Sequence, residues 1–357
     1  MKRRDFLKGA GVAAAGVAAP ALATEAPTIR WRLASTYNKN LDILYGAAEL
    51  LSRRVAALTD GKFQIRVFAG GEIVPGLQVL DAVQQGTVEC GQSASYYYVG
   101  KNMAFAFDTA MPFGLTARQQ NAWMMFGGGL QLLRELFKEY NIINFPAGNT
   151  GTQMGGWFRT EVKSLADLKG LKMRIPGLGG QIMAKLGVVP QTLAGTDVYP
   201  ALERGAIDAT EWVGPYDDEK LGFYKVAKNY YYPGWWEGAG QPSFYVNLDK
   251  WNELPKRYQQ AFETAAAEVN LHTLAEYDAK NPLALARLVQ HGVKLRAFPK
   301  DVMTAAYKVV FEMYDEEARR NPTFKKIYDE WLKFRKMQYQ WFRLAEGTFA
   351  NFAYYAE

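Results

Sequence analysis

Two runs of alternating strand and helix patterns, one on each side of Gly148, constrain the fold of this chain more than any other feature. In the first run, Ile29, Trp31 and Leu33 alternate with arginines, which is the period-two pattern of a half-buried strand. A helical pattern over residues 44–58 follows, and strands and helices continue to alternate from there. Because strands separated by helices usually pair in parallel, each run predicts an α/β unit.

The second run gives way to a helical region from Asn252 onward. This region is rich in Ala, Leu, Glu and Lys, and prolines predict helix breaks near Pro282, Pro299 and Pro322. A chain of 357 residues is too long for one compact core. The predicted fold class is therefore α/β, with two lobes that each hold a mixed, mostly parallel sheet flanked by helices, followed by long C-terminal helices.

Residues 1–23 have the composition of an export signal. They begin with a basic stretch that contains Arg3 and Arg4, continue with uncharged Gly, Ala and Val, and end in a small-x-small exit. The paired arginines are similar to a twin-arginine signal, which exports folded proteins. The uncharged stretch is too short and too weakly apolar to span a bilayer. We therefore expect a signal peptide and a periplasmic mature protein.

Composition excludes several classes of function. The net charge is +6, of which +3 lies in residues 1–23, so the chain lacks the clustered basic face that nucleic-acid binding needs. A single cysteine excludes an internal disulfide and a zinc site built on paired thiolates. Enzyme motifs are scarce, since the chain has neither a P-loop nor a Gly-x-Ser-x-Gly elbow. An exported hydrolase with an acid and a base paired across a cleft is the remaining enzyme alternative.

Two predicted strands end in side chains suited to binding. Arg174 ends the pattern of residues 171–175, and Glu211 and Trp212 end that of residues 206–212. Ligands of open α/β sheets bind beyond the carboxyl ends of the strands, so a site is expected here. An arginine suits a carboxylate because two parallel N–H groups fix both charge and orientation. The alternatives are a surface charge at Arg174 and a packing role for Trp212.

At these segments the sequence resembles the extracytoplasmic solute-binding subunit of the tripartite ATP-independent periplasmic (TRAP) transporters, and most of all its α-keto-acid (pyruvate-like) binding members. The resemblance covers nearly the whole chain after the signal. The matching runs are residues 31–35, 86–90, 148–158, 168–175, 209–222 and 231–237. The resemblance implies a two-lobed clamp that closes on an organic acid.

The resemblance also implies roles for individual residues. Arg174 would hold the substrate carboxylate, while Gln153, Glu211 and the main-chain carbonyl of Trp212 would bind a small cation that bridges protein and substrate. Hard oxygen ligands favour sodium or calcium over zinc or copper. A single side-chain carboxylate among neutral oxygens favours sodium over calcium.

Further polar residues would surround the keto or hydroxyl end of the substrate. The resemblance assigns this role to Asn149, Tyr97 and Glu237. Tyr96 or Tyr98 could take the place of Tyr97, because the register of a tyrosine triplet is not determined by the sequence.

The function that follows is capture of a small 2-oxo monocarboxylate and its delivery to membrane-embedded transporter subunits, with no reaction catalysed. A 2-hydroxy acid such as lactate, bound with calcium, is the alternative within the same family. A keto and a hydroxyl oxygen could both occupy the same cation site.

We predict a first lobe from residues 28–151 with about 240–280, and a second lobe from residues 152–239 with about 281–320. Residues 321–357 are predicted to form a C-terminal helical segment. Apolar residues recur along this segment at helical spacing, and such a stripe could pack on its own lobes. The resemblance instead favours a homodimer, because the keto-acid binders dimerise by exchanging a C-terminal helix. The stripe consists of Ile327, Tyr328, Trp331, Phe334, Trp341, Phe342 and Ala345.

Overall fold

The structure, a computed structural model, describes residues 27–356, so the predicted signal at residues 1–23 lies outside the described range. The strands are β1 (Ile29–Ser35), β2 (Phe63–Phe68), β3 (Cys90–Ser93), β4 (Ile142–Pro146), β5 (Gly156–Phe158), β6 (Lys172–Arg174), β7 (Val189–Gln191), β8 (Ala209–Thr210), β9 (Asn229–Tyr232), β10 (Ser243–Asn247) and β11 (Lys294–Ala297). The helices are α1 (Leu44–Leu58), α2 (Val79–Gln84), α3 (Ala106–Thr109), α4 (Ala117–Phe126), α5 (Gly129–Lys138), α6 (Gly177–Lys185), α7 (Gly195–Glu203), α8 (Pro215–Leu221), α9 (Leu248–Glu253), α10 (Lys256–Gln290), α11 (Lys300–Arg320), α12 (Pro322–Leu344) and α13 (Glu346–Ala353).

The strands form two mixed sheets, one in each lobe. The first sheet has the order β2-β1-β3-β10-β4, and the second has the order β11-β9-β5-β8-β6-β7. In the first sheet, β1 runs parallel to β2 and β3, whereas β10 is antiparallel to both of its neighbours. In the second sheet, β6 and β8 run parallel, so their carboxyl ends meet at one edge. Two mixed sheets flanked by helices confirm the predicted fold class.

Helix α10 connects the two lobes. The chain passes from the first sheet to the second after β4, returns before β10, and crosses again through α10. The first half of α10 buries Tyr258 and Phe262 in the core of the first lobe. Its second half buries Tyr277 and Leu288 beside Trp157 of the second lobe. One continuous helix therefore contributes to both cores.

The C-terminal region differs from the prediction in two ways. Helix α10 continues through Pro282, where a break was expected. Both halves of the helix are held by packing, and Tyr277 donates a hydrogen bond of 2.7 Å to Asp217, so tertiary contacts outweigh the bond that proline cannot make. Strand β11 was missed because it is an edge strand whose residues are mostly exposed, which removes the alternation that identifies a strand.

Helix α12 has a packed first half and a more exposed second half. Helices α11 and α12 begin at the predicted breaks, with Pro299 preceding the first and Pro322 starting the second. The apolar stripe of α12 is fully buried only up to Trp331, and Phe334 still packs partly on the body of the protein. Beyond it, Trp341 is 58% exposed and Leu344 is 73% exposed. Within residues 27–356, no helix is both long enough and apolar enough to cross a membrane.

Candidate functional site

The site is centred on Arg174, the last residue of β6. Arg174 is 1% exposed, which excludes the alternative of a surface charge. The strand ends because Pro176 follows, and Gly177 then opens α6 with a φ of +62°. A Cβ at Gly177 would lie 3.0 Å from the Cβ of Tyr96 in the other lobe. The glycine therefore allows the two lobes to approach each other beside the guanidinium.

The Arg174 guanidinium is held from both lobes. Its Nε donates to the main-chain carbonyl of Leu193 at 3.3 Å, and its Nη1 donates to the main-chain carbonyl of Glu211 at 3.1 Å. Nη1 also donates to Oε1 of the Glu211 carboxylate and forms a buried ion pair with it. From across the cleft, Tyr97 accepts a hydrogen bond of 3.3 Å from Nη2. The predicted clamp is thus already paired within the protein.

Strand β8 brings Glu211 and Trp212 to Arg174. Arg174 is paired with Thr210 in the parallel register, so the next two residues lie just beyond the strand end. The Arg174 Cζ lies 4.9 Å from the centre of the Trp212 ring, a cation–π contact. Gly195 provides the space for this ring, since a Cβ there would lie 2.7 Å from it. Trp212 therefore both packs and contacts the guanidinium.

Gln153 lines the same pocket from the segment between β4 and β5. Its Nε2 donates to Oγ1 of Thr150 at 3.0 Å, and its main-chain N–H donates to the carbonyl of Glu237 at 3.0 Å. Gly240 packs closely on the amide, because a Cβ there would lie 2.5 Å from Nε2. With Nε2 engaged, the amide oxygen is left for another partner.

Three buried acceptor oxygens near Arg174 have no donor. Among residues 27–356, no group donates to Oε1 of Gln153, Oε2 of Glu211 or Oε2 of Glu237. Buried acceptors without a partner are rare because they cost free energy, and carboxylate and amide oxygens are the ligands of sodium and calcium. The described part of the chain contains no group of three His, Cys, Asp or Glu side chains that could hold a metal. Oε1 of Gln153 is thus a neutral oxygen that could complement the two carboxyl oxygens.

The tyrosine triplet divides between the cleft and the core. Tyr96 and Tyr97 line the pocket, and their rings meet edge to face at 4.9 Å. Tyr98 points into the first lobe, where its hydroxyl accepts from the main-chain N–H of Leu80 at 3.2 Å and donates to Oγ of Ser93 at 3.1 Å. The register that the sequence left open is one in which Tyr97 contacts Arg174.

Asn149 lies beside this pocket and lines a smaller neighbouring cavity with Gln92 and Tyr277. Its Oδ1 accepts from the main-chain N–H of Gly151 at 3.0 Å. Its Nδ2 has no acceptor within the described residues. Leu44, Thr150 and Pro242 border both cavities, so the two cavities adjoin, and Asn149 itself lines only the smaller one.

Tyr37, which is not among the residues predicted from the sequence, also lines the pocket and lies two residues beyond the end of β1. Ligands of α/β sheets bind beyond the carboxyl ends of the strands, and this rule pointed to the residues after β6 and β8. The same rule applied to β1 points to Tyr37.

Burial controls the charge of the site. It raises the pKa of Glu237 well above the usual value, and the charge of Glu211 adds to this effect. It also raises the pKa of Glu211, to about 7, against the lowering effect of Arg174. Burial lowers the pKa of the Arg174 guanidinium, but Glu211 and Tyr97 outweigh this effect, so the net shift is upward. The pocket thus combines a permanent cation with carboxyl groups that another positive charge would stabilise.

Two segments of the chain match known families. Residues 34–321 match the family described as bacterial extracellular solute-binding protein, family 7. Residues 1–20 match the twin-arginine translocation pathway signal sequence. The protein is therefore exported to the periplasm by the twin-arginine route.

Individual relatives are similar along almost their whole length. The monocarboxylate 2-oxoacid-binding periplasmic protein of Nostoc sp. strain PCC 7120 is 52% identical over 99% of both chains. A TRAP transporter solute-binding protein from Bordetella bronchiseptica, a dimer with calcium and picolinate at one site, is 55% identical with a TM-score of 0.91, over 92% of this chain and 98% of the other. A TRAP solute-binding protein from Pseudoalteromonas atlantica, with sodium and pyruvate bound, is 38% identical with a TM-score of 0.88, over 91% of this chain and 99% of the other. On the family match and these similarities, the chain belongs to bacterial extracellular solute-binding protein family 7 and is a solute-binding protein of the TRAP transporters.

Proposed function

We propose that this protein captures a small 2-oxo monocarboxylate such as pyruvate in the cleft between its lobes. It then delivers the acid unchanged to the membrane-embedded subunits of its transporter. The observation that carries the proposal is the buried Arg174 guanidinium in a cleft between two lobes. A buried cation of this kind recognises a carboxylate through paired, charge-assisted hydrogen bonds.

The surroundings of Arg174 favour a short ligand. Tyr37, Tyr96, Tyr97 and the buried Trp212 enclose the guanidinium, which leaves space for few atoms beyond the carboxylate. The relative from Nostoc is named for 2-oxo acids, and the one from Pseudoalteromonas holds pyruvate, so both support a small 2-oxo acid.

Gln153, Glu211 and the main-chain carbonyl of Trp212 would hold a cation beside the acid. The ion supplies positive charge between Glu211 and the ligand carboxylate, which at about 4 Å would otherwise repel each other by about 4 kcal/mol at an effective dielectric constant near 20. Sodium is favoured over calcium because Glu211 provides the single carboxylate of this set. The relatives support either ion, since one holds sodium and another calcium.

Polar side chains around Arg174 and the cation would contact the keto or hydroxyl end of the ligand. The contact of Tyr97 with Arg174 supports this role for Tyr97, and the unpaired, buried Oε2 supports it for Glu237. Asn149 would act from the adjoining cavity, and its unpaired, buried Nδ2 supports a role as a donor to the ligand.

We also propose that the protein is a homodimer formed through its C-terminal helices. On a single chain, α13 exposes Phe349 at 69% and Phe352 at 78%, next to the exposed end of α12. Contiguous exposed apolar surface of this kind is typical of an interface. The Bordetella relative is described as a dimer, which supports the same assembly.

Native mass spectrometry of the purified protein, followed by calorimetric titration of the stripped protein, tests the ligand and the cation together. We expect pyruvate to bind in sodium buffer, and to bind much more weakly when a bulky organic cation replaces sodium. The same titrations with lactate in place of pyruvate, and with calcium in place of sodium, give the comparison. Absence of binding by every short 2-oxo acid in both sodium and calcium buffers would contradict the proposed function.

A further inference from the structure

Nearly all the donors of Arg174 are already engaged. A guanidinium carries five N–H groups. The bonds to Leu193, to the carbonyl and carboxylate of Glu211, and to Tyr97 occupy four of them. One donor is left without a partner in residues 27–356. A ligand carboxylate bound through two parallel hydrogen bonds needs two, so one present partner must leave first.

Glu211 is the partner whose chemistry matches that of the ligand. Leu193 and the Glu211 carbonyl belong to the main chain beside β6 and β8, which cannot withdraw without disturbing the sheet. Tyr97 is a neutral acceptor on the other lobe. The Glu211 side chain is a carboxylate on the same guanidinium nitrogen, 1% exposed and in a direct ion pair.

We propose that the Glu211 carboxylate holds the place of the ligand carboxylate on Arg174 and is displaced when the acid binds. The inference rests on the proposed function and deepens it, because it predicts in which order the site is filled. A protein carboxylate in this position keeps the buried guanidinium paired while the cleft is without ligand. It also competes with every acid that enters.

The second oxygen of Glu211 shows where the displaced side chain would be stabilised. Oε2 is buried and has no donor within the described residues, and the same holds for Oε1 of Gln153 on the same pocket. These two oxygens would hold a cation, and its charge would compete with Arg174 for the Glu211 carboxylate. Cation and acid then favour each other's binding, and linkage requires that each change the other's affinity by the same factor.

If Glu211 is displaced by the ligand, Glu211→Gln should change pyruvate affinity in opposite directions with and without sodium. In sodium buffer the variant should bind pyruvate more weakly than the wild type, because a cation ligand is lost. In buffer with only a bulky organic cation it should bind pyruvate about tenfold more tightly than the wild type, because the competing charge is gone. Added sodium should then change the variant's affinity by less than about threefold.

Calorimetric titration of pyruvate into the full-length protein tests this in both buffers, with two further variants. Tyr97→Phe removes the other displaceable partner of Arg174 and should give no gain without sodium. Glu203→Gln removes an exposed carboxylate from the same lobe and should behave as the wild type. Thermal unfolding gives a second readout, since pyruvate without sodium should stabilise Glu211→Gln more than the wild type.

Several results would overturn the inference. Glu211→Gln could bind pyruvate no better than the wild type without sodium, or the gain could come from Tyr97→Phe instead. If the variant does not fold, the wild type still decides: a pyruvate affinity that is the same with and without sodium would contradict the inference. The proposed function fails in a different way, through absence of pyruvate binding by the wild type in any buffer.

Discussion

Asp42 of the first lobe accepts a hydrogen bond of 2.8 Å from the hydroxyl of Tyr216 in the second lobe. Lys220, one turn along α8, forms an ion pair with the same carboxylate, and Nζ of Lys280 on α10 lies 3.7 Å away. Tyr216 follows Glu211 by five residues. One short segment therefore carries both a ligand-site carboxylate and a contact that joins the two lobes.

We expect Asp42→Asn to weaken ligand binding two- to fivefold, because it destabilises the closed arrangement of the lobes. The side chains of the Asp42–Lys220 pair are 47% and 28% exposed, and pairs of this kind contribute about 0.2–1 kcal/mol, less at high salt. Calorimetry at low and high ionic strength measures the effect. Glu72→Gln, which breaks the exposed Lys39–Glu72 pair within the first lobe, is the control. Equal losses in the two variants would contradict a role in closure.

Arg174→Ala should reduce pyruvate affinity by about 30-fold to several thousandfold, because it leaves the ligand carboxylate without its buried partner. It also leaves Glu211 buried without a countercharge, so a loss of stability is expected as well. A double variant, Arg174→Gln with Glu211→Gln, removes both charges and should also fail to bind. Lys172→Ala, at an exposed position of the same strand, is the control. Affinity within threefold of the wild type would exclude the clamp role.

Gly240→Ala should weaken pyruvate binding about tenfold or more, since displacement of a site group by about 1 Å has effects of this size. The new Cβ would lie 2.5 Å from Nε2 of Gln153 and 2.6 Å from Oγ1 of Thr150, which forces the amide to move. Because Gln153 is a proposed cation ligand, the dependence of pyruvate binding on sodium should also decrease in this variant. Gly46→Ala introduces a Cβ where no atom lies within 4 Å and should preserve binding.

If the proposed dimer forms through the C-terminal helices, replacing Phe349 and Phe352 by glutamate should give a monomer, because both rings are exposed on a single chain. Substitution tests the interface better than truncation of the chain near Asn321 would. Such a chain would lose Trp331, which belongs to the main core. Leu271→Glu changes a residue that is 70% exposed on α10 and should leave the dimer intact. Light scattering on the wild type, the Phe349/Phe352 variant and Leu271→Glu measures their oligomeric states. A monomeric wild type would contradict the proposed dimer.

Asp108→Asn should remove a dependence of stability on pH. Burial raises the pKa of the Asp108 carboxyl to about 6, against hydrogen bonds from Ser95 and Asn144. Because the folded pKa exceeds the unfolded one, the folded state binds more protons between about pH 4 and 6, and the wild type loses stability across this window as the pH rises. The difference in unfolding free energy between wild type and variant should change by about 3 kcal/mol from pH 3.5 to 7. A constant difference in urea unfolding would refute this.

Local patterns in the sequence determined the elements and the candidate side chains. The alternation of Trp31 and Leu33 with arginines specifies β1 without reference to distant residues, because the period of a strand is a local property. Arg174, Glu211 and Trp212 were identifiable for a similar reason, since strand ends are visible in the chain and α/β sheets bind ligands there.

Only the tertiary structure decided which of these groups meet. The parallel register of β6 and β8 places Glu211 on Arg174, and closure of the lobes adds Tyr97, from positions 37 and 77 residues apart. The same is true of Pro282, where packing of α10 on two lobes outweighs a local preference that predicts a break. Pairing between lobes and burial of charge depend on contacts between distant segments, and the spacing of residues along the chain does not encode them.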